Sequence, residues 1–401
     1  MNNNISYKPT VKACYIGIIC QAIINNLAAI LFIPLSEQFG FSYTQLGALV
    51  LVNFAVQVTV ALVFGSIVDR FGFRRFIVTA HILAIIGMAL FASAVAMPIN
   101  PYIVLMTGTI IFAAAGGFME LLLSPILNAI PTDEKSSAMS IMHSFYCFGH
   151  VGVVLLTTLF LFFFGHDAWP IAALIWLLVP LVNLFIFATC PMANPLPAQQ
   201  QNSARQVLRQ PLFAVLVVTI LFAGASEITF SQWTSAYLEE IIGLPKIVGD
   251  IAGVSTFAAM MGICRISYGI LKRKEYKWLP GHARLMQIGA VLAVASYVII
   301  AMVSNPVLAL LACALCGLGV GLLWPGTLSL AVDAFPKAGT WMFAILAAAG
   351  SIGAAIGPSV FGVVADNAGL RTGFLLTAVF PVCAALCLGI YYNKRGKFKC
   401  S

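Results

Sequence analysis

Between Ala13 and Leu35 no residue is charged, and between Phe76 and Met119 there is no Asp, Glu, Lys or Arg. Runs of this kind are far longer than any buried strand or core helix requires, and about 20 apolar residues suffice to cross a bilayer as a helix. Breaks at charges, prolines and polar turns divide the chain into twelve such segments: residues 11–36, 43–69, 76–97, 101–130, 137–164, 168–189, 211–238, 246–272, 282–303, 305–333, 339–366 and 368–392. A transmembrane barrel would instead alternate over roughly ten residues per strand. The composition agrees: 8% of the residues are charged, where a soluble domain carries about 25%. An all-α integral membrane protein is therefore expected. The polar start and the length of the first run speak against a cleaved secretory signal.

Lys and Arg set the orientation. With the N-terminus in the cytoplasm, Lys8, Lys12, Arg70, Arg74, Arg75, Lys135, Arg205, Arg209, Lys272, Arg273, Lys274, Lys277, Arg284, Lys337, Lys394, Arg395, Lys397 and Lys399 all fall inside. Only Lys246 and Arg371 fall outside, and Arg265 lies within a helix. Both termini are expected in the cytoplasm, in a multi-pass protein of the inner membrane. The net charge of +8 comes from this inner rim, so nucleic acid is not needed as a partner. The ten cysteines are scattered through apolar segments. Cys313 and Cys316 have metal-pair spacing but no companion pair or histidine, so neither a zinc site nor a disulfide framework is expected.

The most polar long connection, Cys190 to Gln210, falls at mid-chain. At an offset of about 205 residues, Gly65–Arg70 corresponds to Gly269–Lys274, and Asn128-Ala-Ile-Pro131 to Asp333-Ala-Phe-Pro336. Each match closes an equivalent helix, as a duplicated unit would. The expected organisation is a six-helix half over 1–190, a cytoplasmic linker over 191–210 and a second six-helix half over 211–401. Two pseudo-symmetric six-helix halves around a midplane site are a transporter architecture.

Gly65-x-x-x-Asp69-Arg70-x-Gly72-x-Arg74-Arg75, between the second and third spans, resembles the signature loop of the major facilitator superfamily. That resemblance implies the major facilitator fold and a conformational latch formed by Gly65, Asp69, Arg70, Arg74 and Arg75. The copy at Gly269 lacks the aspartate. A finer resemblance is to the fucose–galactose–glucose:proton symporter family, through Asn25-Asn26-Leu27, Gly117-Phe-Met-Glu120 with Ser124-Pro125, His143-Ser-Phe-Tyr146 and Trp324-Pro325-Gly326. Ala29 stands where the sugar–proton members carry an acid, which keeps a uniporter among the alternatives.

Charges within lipid cost roughly 2.5–3.5 kcal/mol on insertion scales and mark functional sites or partners. Glu120 and Glu227 are the two acids well inside spans, in the fourth and seventh; the resembled fold lines its cavity with the first, fourth, seventh and tenth. Each can instead be structural, Glu120 hydrogen-bonded to a neighbouring helix and Glu227 paired with a histidine or arginine. Helix five places His143, Tyr146, Cys147 and His150 on one face, and a histidine titrates near neutrality. Glu120, Glu227 and His150 are thus the candidate proton-coupling groups. Amides and aromatic faces suit a polyhydroxylated ring, which makes Asn25, Asn26, Asn53, Gln57, Glu120, Tyr146, His150, Glu227, Gln232 and Trp324 the candidate substrate-binding residues. Trp233 and Tyr237 can equally be interface anchors, and Arg265 is read as structural, snorkelling to the cytoplasm or paired with an acid.

Helix eleven reads Gly350-Ser-Ile-Gly353-Ala-Ala-Ile-Gly357-Pro358, a small-x-x-x-small packing stripe. No phosphate loop or nucleotide fingerprint is present, and the adjacent His143 and Ser144 have no acid to orient them as a hydrolase would need. The expectation is a secondary transporter, not an enzyme, that needs no cofactor. It would act as a monomer in the bilayer and import a small-molecule substrate, a sugar or polyol, with protons as the coupling ion. The alternatives are a proton-coupled exporter of an amphipathic compound or lipid, and a uniporter.

Overall fold

The computed structural model describes residues 6–41, 43–132, 134–196, 200–245, 248–274 and 280–398. Lys246, Lys277 and Lys399, used above to orient the chain, lie outside these residues, as do the side chains of Lys394, Arg395 and Lys397. Among the described residues eleven helices are long and apolar enough to cross a membrane. The last, Thr340–Asn393, has 54 residues. At about 1.5 Å per residue it would extend roughly 80 Å if straight, against a hydrocarbon core of about 30 Å. It does not run straight: Gly369 has φ 84°, a left-handed corner that favours glycine. Twelve crossings result.

They are α1 (Lys8–Ile30), α2 (Tyr43–Phe64), α3 (Phe73–Ala92), α4 (Pro101–Ala129), α5 (Lys135–Phe164), α6 (Trp169–Thr189), α7 (Pro211–Glu240), α8 (Ser255–Arg273), α9 (His282–Met302), α10 (Pro306–Ala334), α11 (residues 340–368) and α12 (residues 370–398). Helix starts are written locally. Asn100 caps α4 by accepting from Tyr102 N, Asn305 caps α10 by accepting from Val307 N and Leu308 N, and each is followed by proline at the first helical position. The asparagine satisfies otherwise orphaned amides, and the proline has no amide to orphan.

Two boundaries differ most from the sequence reading. The first span, expected to reach residue 36, stops at Ile30, and a separate helix runs over Phe32–Phe39. Pro34 lacks the N–H that would have bonded Ile30 O, so the ladder breaks there. The eighth span is α-helical only from Ser255, after a π-helical turn over Gly249–Val254.

The chain forms two compact units. The first comprises residues 1–132, 148–201 and 339–344, and the second residues 133–147, 202–338 and 345–401. In the first unit α4 packs on α1, α2 and α3, and α6 packs on α1 and α3. In the second, α10 packs on α7, α8 and α9, and α12 on α7 and α9. Every one of these pairings recurs six helices later, so the duplication seen faintly in sequence is written in the packing. The close contacts recur too. A Cβ added to Gly108 would lie 2.8 Å from Phe91 N and 2.9 Å from Gly87 O; one added to Gly319 would lie 2.7 Å from both Ala293 N and Gly289 O. Backbones approach through glycine because lipid offers helices no hydrophobic drive to associate, leaving van der Waals contact to do so. Gly353 and Gly357 serve the same purpose, facing Leu221 and Ala225 of α7.

Candidate functional site

In the first unit the polar centre is an amide network. Asn53 and Gln57 lie four residues apart on α2 and so share a face. Gln57 Nε2 donates to Asn25 Oδ1 at 2.8 Å and to Asn53 Oδ1 at 3.1 Å. Glycines make the room: a Cβ at Gly116 would lie 3.0 Å from Gln57 Cδ, and one at Gly117 2.9 Å from Gln57 Cα. With both amide protons committed, the buried Gln57 Oε1 has no hydrogen-bond partner among the described residues. Asn26 Nδ2 donates to Ala22 O at 2.8 Å. Asn25, Asn26, Glu120 and His150 are half-buried. Glu120 stands one turn beyond Gly116, and His150 follows Gly149, whose missing side chain lets α5 approach Ile19 and Ala22 of α1.

The signature loop belongs to the same unit. Asp69 Oδ2 accepts from Thr340 N at 3.0 Å and from Gln201 Nε2 at 3.0 Å, and Asp69 Oδ1 accepts from the Thr340 hydroxyl. A carboxylate is favoured at this place because Thr340 opens α11 and helix N-termini attract anions. Arg74 is the complement, donating to Phe187 O at 2.9 Å, Ala188 O at 2.5 Å and Cys190 O at 2.6 Å. It caps the C-terminus of α6, the end that favours a cation. Gly72 turns the chain into α3 with φ 81°. Arg70 and Arg75 are exposed.

In the second unit Glu227 of α7 is paired with Arg265 of α8, Oε2 to Nη2 at 3.0 Å, and both are buried. Of the two readings of Arg265, pairing is the one observed and snorkelling is not. Its other nitrogens are also engaged: Nε donates to Gly321 O at 2.7 Å, and Nη1 to His143 O at 3.1 Å and Cys147 Sγ at 3.1 Å. Tyr146, half-buried, lies within electrostatic reach of the same guanidinium. Trp324 is half-buried with its ring against Gly350. Trp233 is held differently, donating from Nε1 to Pro358 O at 3.1 Å and stacking on Phe361 at 4.7 Å. Gln232 is exposed.

Asn25, Asn53 and Gln57 are thus joined directly, and Glu227 is joined to Arg265. Sequence reasoning passed over a further polar group. His81 and Asn183 are fully buried in the first unit; Asn183 Nδ2 lies 2.9 Å from His81 Nε2 and 3.1 Å from Ala13 O, while His81 Nδ1 lies 2.7 Å from Ile77 O. Both sit mid-span in apolar runs, the signal that drew attention to Glu120. It also passed over Gln201, whose role depends on a partner far along the chain.

Solved structures share the fold. A point variant of the E. coli fucose:proton symporter FucP is 18% identical with a TM-score of 0.79, covering 96% of this chain and 99% of its own. The proton:xylose symporter XylE, bound to 6-bromo-6-deoxy-D-glucose, is 12% identical with a TM-score of 0.77, covering 94% of each chain. The human organic anion transporter MFSD10 is 14% identical with a TM-score of 0.73, covering 96% of this chain and 100% of its own. At these identities the likeness is one of fold. No curated protein sequence matches the chain. The family model described as the Major Facilitator Superfamily matches residues 14–340 and again 281–398. With the twelve crossings, the repeated packing and the signature loop, that match makes this multi-pass membrane transporter a member of the Major Facilitator Superfamily.

Proposed function

We propose that the protein imports a small polar solute, a sugar or polyol, by proton symport with alternating access. The observation that carries this reading is the uncharged Asn25–Gln57–Asn53 network inside a membrane-spanning unit. Polar side chains within a span face partners or a cavity, and an amide can both donate to and accept from a hydroxyl group. Half-buried Asn25, Asn26, Glu120, Tyr146, His150 and Trp324 supply the polar and aromatic contacts, and Gln232 and Glu227 complete the candidate set. FucP and XylE, described as fucose:proton and proton:xylose symporters, lend support through their fold. Glu120 is the first candidate for the coupling acid. The protein works as a monomer in the inner membrane with both termini and the 191–210 linker in the cytoplasm.

The test is a thermal-shift screen of purified protein against sugars, polyols, nucleosides and amphipathic compounds. A ligand of the native state raises its apparent stability, by about 2.7 kcal/mol at a hundred times Kd. Shifts confined to amphipathic compounds would replace the import reading with export.

For a solute found in this way, Trp324→Ala weakens binding about tenfold, equivalent to roughly 1.4 kcal/mol, and more than Trp233→Ala does. Trp233 is already engaged by Pro358 and Phe361. Equal losses, measured by titration of the thermal shift, would overturn the assignment of Trp324 as the stacking platform.

In the latch, Asp69→Asn keeps hydrogen-bonding shape but removes the charge that strengthens three bonds. The difference between charged and neutral hydrogen bonds is about 1–2 kcal/mol, enough to slow solute counterflow roughly tenfold while leaving the thermal shift in place. Lost binding with normal counterflow would refute the latch.

A further inference from the structure

Arg265 completes a hydrogen bond that a proline in another helix leaves open. In an unbroken α-helix the amide of residue 325 would donate to the carbonyl of residue 321. Residue 325 is proline and has no amide proton. α10 accordingly breaks into Pro306–Val320 and Leu323–Ala334. The freed Gly321 O is taken by Arg265 Nε at 2.7 Å. There is no room for another side chain at the break, since a Cβ on Gly321 would lie 2.9 Å from Cys264 Cβ. The same guanidinium holds the Glu227 carboxylate at 3.0 Å. Its third nitrogen reaches His143 O and Cys147 Sγ on α5. The α8 backbone at this residue is tied as well, since Ser140 Oγ donates to Arg265 O at 2.7 Å. Trp324 is the residue immediately before the proline, on the first turn after the break.

We propose that Arg265 is a positioning residue that links the charge state of Glu227 to the α10 break, and through it to the placement of Trp324. The guanidinium is a rigid fork with donors in fixed directions. While Glu227 is charged, its carboxylate orients the fork and Nε stays on Gly321 O. When Glu227 loses its charge or turns to another partner, the fork has no anion to hold it, and Gly321 O loses a fixed donor. The break then loosens and Trp324 shifts. A carboxyl group on α7 thereby controls an aromatic ring on α10 through Arg265. The importance of this link for transport rests on the proposed roles of Glu227 and Trp324, but its existence does not.

The test therefore uses no solute. Hydrogen exchange of peptides spanning residues 318–330 is measured by mass spectrometry on the full-length protein in lipid nanodiscs. Trp324 emission is followed in parallel as the difference between each variant and the same variant carrying Trp324→Phe. Glu227→Gln raises exchange across 321–328 by roughly tenfold, the worth of one charge-assisted bond, and shifts the Trp324 emission. Pro325→Ala restores an amide at 325 that can satisfy Gly321 O from within α10. In that background the effect of Glu227→Gln shrinks to about threefold or less, because the two changes act on one bond and are not additive. Arg265→Lys, which keeps a charge but loses the fork, reproduces the exchange seen in Glu227→Gln. An unchanged 321–328 segment in Glu227→Gln, or an equal effect with and without Pro325, would overturn the link. Either result leaves the sugar reading standing, and an empty thermal-shift screen leaves the link standing.

Discussion

Proteoliposomes carrying Glu120→Gln will exchange solute across the membrane but will not concentrate it. Glutamine mimics a permanently protonated carboxyl group in size and shape, so α4 keeps its packing against α1, α2 and α3. On the proposed coupling role, what it removes is the ability to bind a proton in one access state and release it in another. A gradient of one pH unit is worth about 1.4 kcal/mol per proton, or a tenfold solute ratio. The wild-type ratio near ten should therefore fall to about one, with counterflow of labelled solute retained. Both quantities come from one preparation, using the solute identified by thermal shift. A mutant that still concentrates solute when only protons drive it would exclude Glu120 as the coupling acid and move the role to Glu227 or His150.

The second large effect is on stability. Arg265→Met leaves Glu227 buried without its cation, and removing one member of a buried pair costs about 3–5 kcal/mol. It also strips donors from Gly321 O, His143 O and Cys147 Sγ. The midpoint of unfolding by SDS titration should fall sharply. Adding Glu227→Gln to Arg265→Met should recover a large part of that loss, because the stranded charge is gone even though the carbonyls remain unmet. A double variant no more stable than Arg265→Met alone would show that the lost carbonyl contacts, not the unpaired charge, dominate the cost.

The contrast between these two acids shows how much a sequence can tell. Glu120 and Glu227 were found by the same signal, a carboxylate where lipid forbids one. That signal locates a group but does not name its neighbour. Arg265 lies 38 residues from Glu227 on another helix, and only helix packing decides whether its long side chain turns to water or to the acid. The twelve spans and the signature loop were legible because each is local: a run of apolar residues, a fixed spacing around Asp69. Even there Pro34 ended α1 earlier than hydrophobicity alone implied, since a missing amide weighs more than an unbroken apolar run. His81 and Asn183 went unread because an isolated histidine or asparagine in a span has no companion nearby in sequence. Their meeting requires α3 and α6 to pack. Gln201 is the extreme case, a polar residue in a polar linker with nothing local to distinguish it.

The Asp69–Thr340 contact also has a history within each molecule. Its partners are 271 residues apart. At about 5–20 residues per second, a ribosome finishes Asp69 roughly 14–54 s before it supplies Thr340. The first compact unit is thus assembled with Gln201 available to Asp69 but its final segment, residues 339–344, still unmade. Completion of that unit is a late event in synthesis, set by the emergence of α11. A chain stalled or cut before residue 339 would carry every residue of the signature loop and still lack the bonds from Thr340 to Asp69.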